Sequence, residues 1–567
     1  PVGPGRGSAA GSIVSYCLGI TQICPLEHGL IFERFLNSER ISLPDIDIDF
    51  CKKRVGEVYS YAQQKYGEKN VARIATFSNM WARSLIRDVG KAYGIEKDEI
   101  NIVAKSIPEG AGEFRAKMID QISENETLSA YVKNSKKWQT VAKDSIALEG
   151  AKKAVSKHAA GFVIGDTDLT EYIPLMRPVK PKRGKTKAKG TDEEEIAIDV
   201  SESMMFTQYP MGDLEELGLI KMDFLALETL TIIKDCIDLL ANKSIIVKDD
   251  ITYSNLTNDE AYDLMRKGNS LGVFQCESPG LRNLLMQIQP EKFSDVVAAI
   301  SLYRPGPMDA IDEETGMTML EKYVQNRTYK MIDDTFSWEV LHTEMNSILE
   351  ETYGVIIYQE QIMDICRKVC GYTYNQADKF RKAVGKKIPE LVAKEKKNFM
   401  KGALGHGDMS QDDADNLFAQ LETFARYGFN KSHAAAYAVL TYRTAWLKSK
   451  YPIYYMTSLL NASSNKSDGI DKRKYVNDCL LNKIKIYAPD INSSKMKAYP
   501  HDNGIKCNLT MIRGVDSISS KIIEEREKNG LYKDFIDCIT RLSGIGINKS
   551  ALESLIRSGC LLSIIHF

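Results

Sequence analysis

At 567 residues the chain exceeds what one hydrophobic core can fill, so several domains are expected. Its composition, 43% hydrophobic and 27% charged, is that of an ordinary globular protein, and without a run of about 18 uncharged apolar residues it has no candidate membrane span. A net charge of −1 lacks the basic excess of a nucleic-acid binder, so any phosphate-binding surface has to be a local patch offset by acids elsewhere.

The chain opens Pro1-Val2-Gly3-Pro4-Gly5, with neither an initiator Met nor a signal-peptide pattern, and is expected to begin inside a domain. Gly5-Arg6-Gly7-Ser8-Ala9-Ala10-Gly11-Ser12 then leads into an apolar stretch that reads as a helix. Glycines let the backbone approach a ligand, and a helix starting here presents its first amides to it. Arg6 adds a planar fork suited to phosphate and Ser8 a hydroxyl donor; close helix packing is the competing use of such small residues. Next, Pro44-Asp45-Ile46-Asp47-Ile48-Asp49-Phe50 puts an acid at every second position. In a strand the three carboxylates share one face, and Ile46, Ile48 and Phe50 the other. Such a row either lines a solvated edge or gathers a hard divalent cation, Mg²⁺ first among them.

From about residue 55 to 156 the periodicity predicts helices, among them Val55 to Tyr66 and Met80 to Tyr93. Arg83, Arg87 and Lys91 recur at one-turn spacing on the second, as a backbone-contacting stripe or a solvated face. Lys157 to Ile164 reads as a small-residue turn leading into a strand, with His158 either a core or a site histidine. The charge blocks and prolines from Pro178 to Glu195 mark a flexible loop. In Leu217 to Leu225, read as a strand, Lys221 and Asp223 share one face while Ile220, Met222 and Phe224 share the other. A third carboxylate thus arrives with a cation beside it, enough for a two-Mg²⁺ arrangement.

From Glu228 to about residue 460 the chain is expected to be mainly helical. Tyr303-Arg304-Pro305-Gly306-Pro307 fixes a rigid turn carrying Arg304. Lys379, Arg381, Lys382, Lys386 and Lys387 crowd one stretch with Asp378 close by, which points to a phosphate partner. Ser432 is the expected cap of the Ala-rich helix that follows, with Lys431 and His433 at its positive end, placed for an anion. In the last hundred residues Gly514 and Gly546 each stand in a glycine turn before a helix, as in a pair of helix-hairpin-helix units whose amides meet DNA phosphates. The 11 cysteines show no paired CxxC spacing, which fits reduced thiols; Cys366 and Cys370, one helical turn apart, lack a second pair for zinc.

The segments Gly5 to Ser12, Pro44 to Phe50, Lys221 to Leu225, Tyr303 to Pro307 and Asn430-Lys431-Ser432-His433 together resemble the bacterial DNA polymerase III alpha family of C-family polymerases, in the family's order and over nearly the whole chain. The resemblance implies an α+β, multidomain fold. A polymerase beta-like nucleotidyltransferase palm (1–78 and 157–228) would enclose a helical thumb (79–156), followed by fingers (229–460) and a truncated helix-hairpin-helix domain (461–567). It implies a DNA-directed DNA polymerase that uses two Mg²⁺ ions, with Asp47, Asp49 and Asp223 as catalytic metal ligands and Asp45 outside the site. It also implies Arg6, Gly7, Ser8 and Lys221 as palm contacts to the incoming nucleotide, and Arg381, Lys382 and His433 as finger contacts. Arg83, Arg87, Arg304, Lys431, Gly514 and Gly546 are the candidates for DNA contact. Primer-template DNA and dNTPs are the implied partners, with a sliding clamp, proofreading exonuclease and clamp loader for the full-length family, in a cytoplasmic, nucleoid-associated setting without a membrane. The family's N-terminal phosphoesterase-like domain and its clamp-binding segment are expected to be missing. Two departures from the pattern are Lys382 in place of a second Arg and Asp516 in place of a Gly; Lys cannot make the bidentate fork. A lesion-bypass paralogue or a non-catalytic DNA-binding fragment would carry the same motifs.

Overall fold

In the computed structural model the acidic stretch forms strand β1 (Asp47–Cys51). The structure describes residues 1–37, 46–108, 116–177, 204–245, 256–309, 311, 315–386, 389–463 and 470–565; Asp45, the run from Pro178 to Glu195 and Lys387 lie outside them. Asp49 lies on the deeper face of β1: it and Cys51 are each 3% exposed, while Asp47, Ile48 and Phe50 are half-buried. The reason is what covers that face. The Gly3 amide donates to the Asp49 carbonyl at 2.8 Å, and a Cβ on Gly3 would stand 2.9 Å from that of Asp49. Cys51 Sγ meets the Thr231 hydroxyl of helix Glu228–Ala241 at 3.2 Å.

The described residues divide into two compact units, one of 1–55 with 224–565 and one of 56–223. In the second unit, β2 (Val71–Asn79), β3 (Lys152–Ile164), β4 (Leu175–Met176), β5 (Phe206–Thr207) and the first half of β6 (Ile220–Leu227) lie in the order β6-β3-β2-β5-β4. The expected all-helical run from 55 to 156 is therefore interrupted. Helix Val55–Tyr66 stands as expected, but β2 follows it, and β3 starts five residues before Lys157. Residues Val71 to Ala75 are buried on both faces, so β2 shows none of the alternation by which a half-exposed strand is recognised. The small residues around His158 are a bulge rather than a turn. Arg73 and Ala75 of β2 pair with Phe162 and Lys157, so one residue faces four. Helices between Ala82–Ala92 and Lys136–Leu148 then pack around Leu85, Ile86, Val103, Trp138 and Val141.

In the first unit, helix Lys431–Lys450 runs through the main core, with Ala434, Ala435 and Ala436 fully buried where bulkier residues would hold neighbouring backbone away. Its cap is Asn430, whose side chain accepts from the His433 amide at 3.2 Å; Ser432, the expected cap, lies inside the first turn and is buried. The glycine-serine segment near the N-terminus is a 3₁₀ turn (Gly7–Gly11), capped by Ser12 into a helix of only five residues, Ile13–Cys17. It is thus a turn shaped by glycine and not the mouth of a long helix. In the C-terminal region β7 (Lys485–Tyr487), β8 (Tyr499–His501) and β9 (Gly504–Lys506) form a small sheet in the order β7-β9-β8. Helices Phe535–Gly544 and Lys549–Arg557 flank the second glycine turn, whereas a single 3₁₀ turn, Leu509–Met511, precedes the first. Among the described residues no helix is long and apolar enough to cross a membrane.

Candidate active site

Within the first unit the acidic strand, the glycine turn and helix Lys431–Lys450 meet through four side chains. Arg6 Nη1 lies 3.3 Å from Asp49 Oδ1, and its Nε lies 3.8 Å from Asp47 Oδ2. Arg6 also donates to the Tyr437 hydroxyl, which in turn donates to Asp49 Oδ2 at 3.1 Å. The phenol therefore uses its one proton on a carboxylate and its lone pair on a guanidinium. Burial pushes the Asp49 carboxyl above the ordinary range, with Arg6 and Tyr437 pulling the other way. The Gly7 amide donates to His433 Nδ1 at 3.1 Å, and the His433 ring lies 4.2 Å from that of Tyr437. Ser8 sits half-buried in the 3₁₀ turn beside them. Tyr437 was not among the residues expected here, although it stands one helical turn after His433 and so on the same face.

His433 accepts through Nδ1, so its ring is neutral with the proton on Nε2. Burial, then the nearby Arg6 charge, pulls its pKa from 6.5 down to about 4. The folded protein thus takes up this proton later than the unfolded chain. Neutral His433 stabilises the fold fully above about pH 6.5, and that contribution, roughly 3 kcal/mol at most, is lost as pH falls toward 4. In protein carrying ¹³C at histidine Cε1, with His433→Gln identifying the resonance, His433 is expected to titrate near 4; a midpoint near 6.5 would show an exposed ring.

Further along the first unit, Asp378 binds two of the expected phosphate cations. Arg381 Nη2 reaches Asp378 Oδ1 at 2.7 Å and Lys382 Nζ reaches Oδ2 at 2.5 Å, both from helix Tyr374–Lys386. Burial of Asp378 opposes ionisation, yet Arg381 and Lys382 hold its carboxyl below the usual range. Arg381 Nη1 and Arg34 Nε both donate to Gln359 Oε1, at 3.2 and 3.1 Å, so cations from two parts of the chain converge there. The start of helix Lys431–Lys450 already has an anion of the protein's own. The Glu360 carboxylate, 2% exposed, accepts from the amides of Lys431 at 2.9 Å and Ser432 at 3.4 Å. Lys431 Nζ pairs with Glu351 at 2.7 Å. Arg304 likewise serves its own backbone: Nε donates to Ser301 O at 2.6 Å and Nη2 to Tyr427 O at 2.7 Å, with its guanidinium 4.3 Å from the Phe429 ring centre.

In the second unit Lys221 Nζ pairs with Asp223 Oδ2 at 2.8 Å along β6, the shared face expected from their spacing. Asp223 is buried, and so is Phe224 on the opposite face, while Ile220 at the start of the strand is exposed. Asp223 Oδ1 is buried without a hydrogen-bond partner among the described residues. A Cβ on Gly161 would stand 3.0 Å from that oxygen and 2.7 Å from His158 Nδ1. His158 shapes the bulge itself, accepting from the Gly161 amide at 2.7 Å, while buried Arg73 donates to the His158 carbonyl at 2.9 Å. Of the basic stripe, Arg83 donates to Ala104 O at 2.9 Å, while Arg87 is exposed. Gly514 and Gly546 are both exposed and left-handed, with φ of 82° and 77°, as their turns require.

Comparison with known proteins matches three successive segments of the chain. Residues 1–226 match the family described as the bacterial DNA polymerase III alpha NTPase domain, residues 229–407 its finger domain, and residues 483–566 a helix-hairpin-helix motif. The three matches follow one another along the chain, two of them to domains of one bacterial protein family. It is 38% identical over 563 residues to the DNA polymerase III subunit alpha of Thermus aquaticus, covering 99% of this chain and 43% of the relative. Against the subunit of the same name from Borreliella burgdorferi it is 38% identical (99% and 45% covered), and against that from Bacillus subtilis 36% (99% and 46%). The chain belongs to the bacterial DNA polymerase III alpha family and spans less than half the length of these relatives.

Proposed function

We propose that the chain catalyses template-directed DNA synthesis, transferring a nucleotidyl group from a deoxynucleoside triphosphate to a primer 3′-hydroxyl, with Asp47, Asp49 and Asp223 holding two Mg²⁺ ions. The observation that carries this reading is a buried carboxylate oxygen with nothing to bind, Asp223 Oδ1. Leaving a buried acceptor unsatisfied costs about 1–3 kcal/mol, which a cation would remove. The donor set supports it too, since three carboxylates offer the oxygen-only environment that a hard cation prefers.

Bound ions would lower the pKa of the attacking hydroxyl and steady the departing pyrophosphate. The chain's own part is alignment and charge, which is why cations and acids stand where a hydrolase would place a nucleophile. In this reading Arg6, Ser8, Lys221, Arg381 and Lys382 are the contacts to the triphosphate. Neutral His433 presents a ring without adding charge. The exposed turns at Gly514 and Gly546 offer amides to duplex phosphates. The test is primer extension by this chain: incorporation that requires Mg²⁺, stops with a chelator and weakens steeply with salt is expected. Duplex binding without incorporation would reduce the chain to a DNA-binding piece and defeat the reading.

A further inference from the structure

The acidic strand does not stand empty of positive charge, because Arg6 occupies its face. Arg6 lies between Gly5 (φ 148°) and Gly7 (φ 61°), both in conformations that only glycine adopts readily, and nothing lies within 4 Å of where a Gly7 Cβ would stand. Those glycines serve backbone geometry: they aim the Arg6 side chain at β1. The guanidinium then spans Asp47 and Asp49, with Tyr437 accepting from it and donating to Asp49. Asp49 is almost wholly enclosed, with a side chain 2% exposed, whereas Arg6 keeps 30% of its side chain in solvent and so has a way out.

We propose that Arg6 is the resting counter-ion of the Asp47 and Asp49 pair and that a divalent cation displaces it. The inference rests on the reading that this pair binds a cation. The guanidinium offsets part of the negative charge that the two carboxylates offer a divalent ion, and its own positive charge repels that ion at contact range. Removing the guanidinium removes both effects. Displacement also frees a planar five-donor fork, the group suited to the oxygens of a triphosphate. Arrival of metal and exposure of a phosphate-binding arginine would then be one event, so that a triphosphate carrying its own cation supplies both partners of the exchange.

The experiment measures Mn²⁺ binding without nucleotide or DNA, counting free Mn²⁺ by its electron paramagnetic resonance signal, in the wild-type chain, Arg6→Gln and Asp47→Asn. Arg6→Gln is expected to bind Mn²⁺ at least tenfold more tightly than wild type, and Arg6→Lys, which keeps the charge, within threefold of it. Unchanged or weaker binding by a folded Arg6→Gln overturns the counter-ion role, while wild-type binding that Asp47→Asn abolishes leaves the metal-site reading intact. Wild-type protein with no Mn²⁺ binding sensitive to Asp47→Asn overturns both. Phenylglyoxal modification of Arg6, read by peptide mass spectrometry, tests displacement independently of any variant. Saturating Mn²⁺ is expected to speed it at least threefold, and an unchanged rate would show that Arg6 stays in place.

Discussion

Asp47→Ala and Asp223→Ala are each expected to cut Mg²⁺-dependent primer extension by roughly 10³-fold, about 4 kcal/mol of transition-state stabilisation, with duplex binding in a gel shift left near wild type. The two substitutions reach that outcome from different surroundings. Asp47 is half-exposed, with Arg6 Nε 3.8 Å from its carboxylate, so its loss removes a ligand near the surface of the site. Asp223 is buried beside Lys221, and an alanine there leaves the ammonium without its carboxylate as well as removing the oxygen that has no partner. Asp49→Ala combines both effects, because Arg6 and Tyr437 lose their common acceptor. Asp45→Ala is expected to be far milder, since the resemblance to the family implies a ligand set without that residue. Wild-type extension by Asp47→Ala or Asp223→Ala would sink the assignment of the reaction to these residues. Equal losses in all four variants would show that Asp45 belongs with the others.

How much of this was legible beforehand follows from the range of each interaction. The alternation of Asp47 and Asp49, and the pairing of Lys221 with Asp223, depend on strand periodicity over a few residues and can be read directly. Arg381, Lys382 and Asp378 meet within one helical turn, so their cluster is local too. What could not be read is what covers the acids. Tyr437 reaches Asp49 across 388 positions and Gly7 reaches His433 across 426, and no local pattern carries contacts of that span. Strand β2 failed for the complementary reason: with Val71 to Ala75 buried on both faces its hydrophobic run has no period. The Ser432 cap failed by two positions because Asn430 and Ser432 are both good caps by residue type, and the choice between them is made by burial of the serine.

Glu360 is the sharpest case of such long-range control, and its removal is expected to have the largest effect on the framework of the site. A helix N-terminus carries about half a positive charge and several amides without intrahelical partners. At Lys431 to His433 those groups looked available to a ligand anion. The Lys431 and Ser432 amides are held by Glu360, 71 and 72 positions away, and the His433 amide by Asn430. Glu360→Ala would orphan two amides beneath the helix that carries His433 and Tyr437, costing about 3 kcal/mol of stability. Extension is expected to fall with it, because the ring that meets Gly7 and the phenol that meets Asp49 both ride on that helix. Burial holds the Glu360 carboxyl above its ordinary pKa, with the two amides and Arg34 pulling against it. The fold therefore binds this proton more tightly than the unfolded chain does, and wild type loses stability as pH rises through the raised pKa. Glu360→Gln, which keeps one acceptor and has no charge to bury, is expected to lose that pH dependence. Urea unfolding at pH 5 and pH 8 separates the three proteins: an Ala variant as stable as wild type would mean that the carboxylate does not hold the helix start, and a Gln variant with unchanged pH dependence would mean that Glu360 does not titrate there.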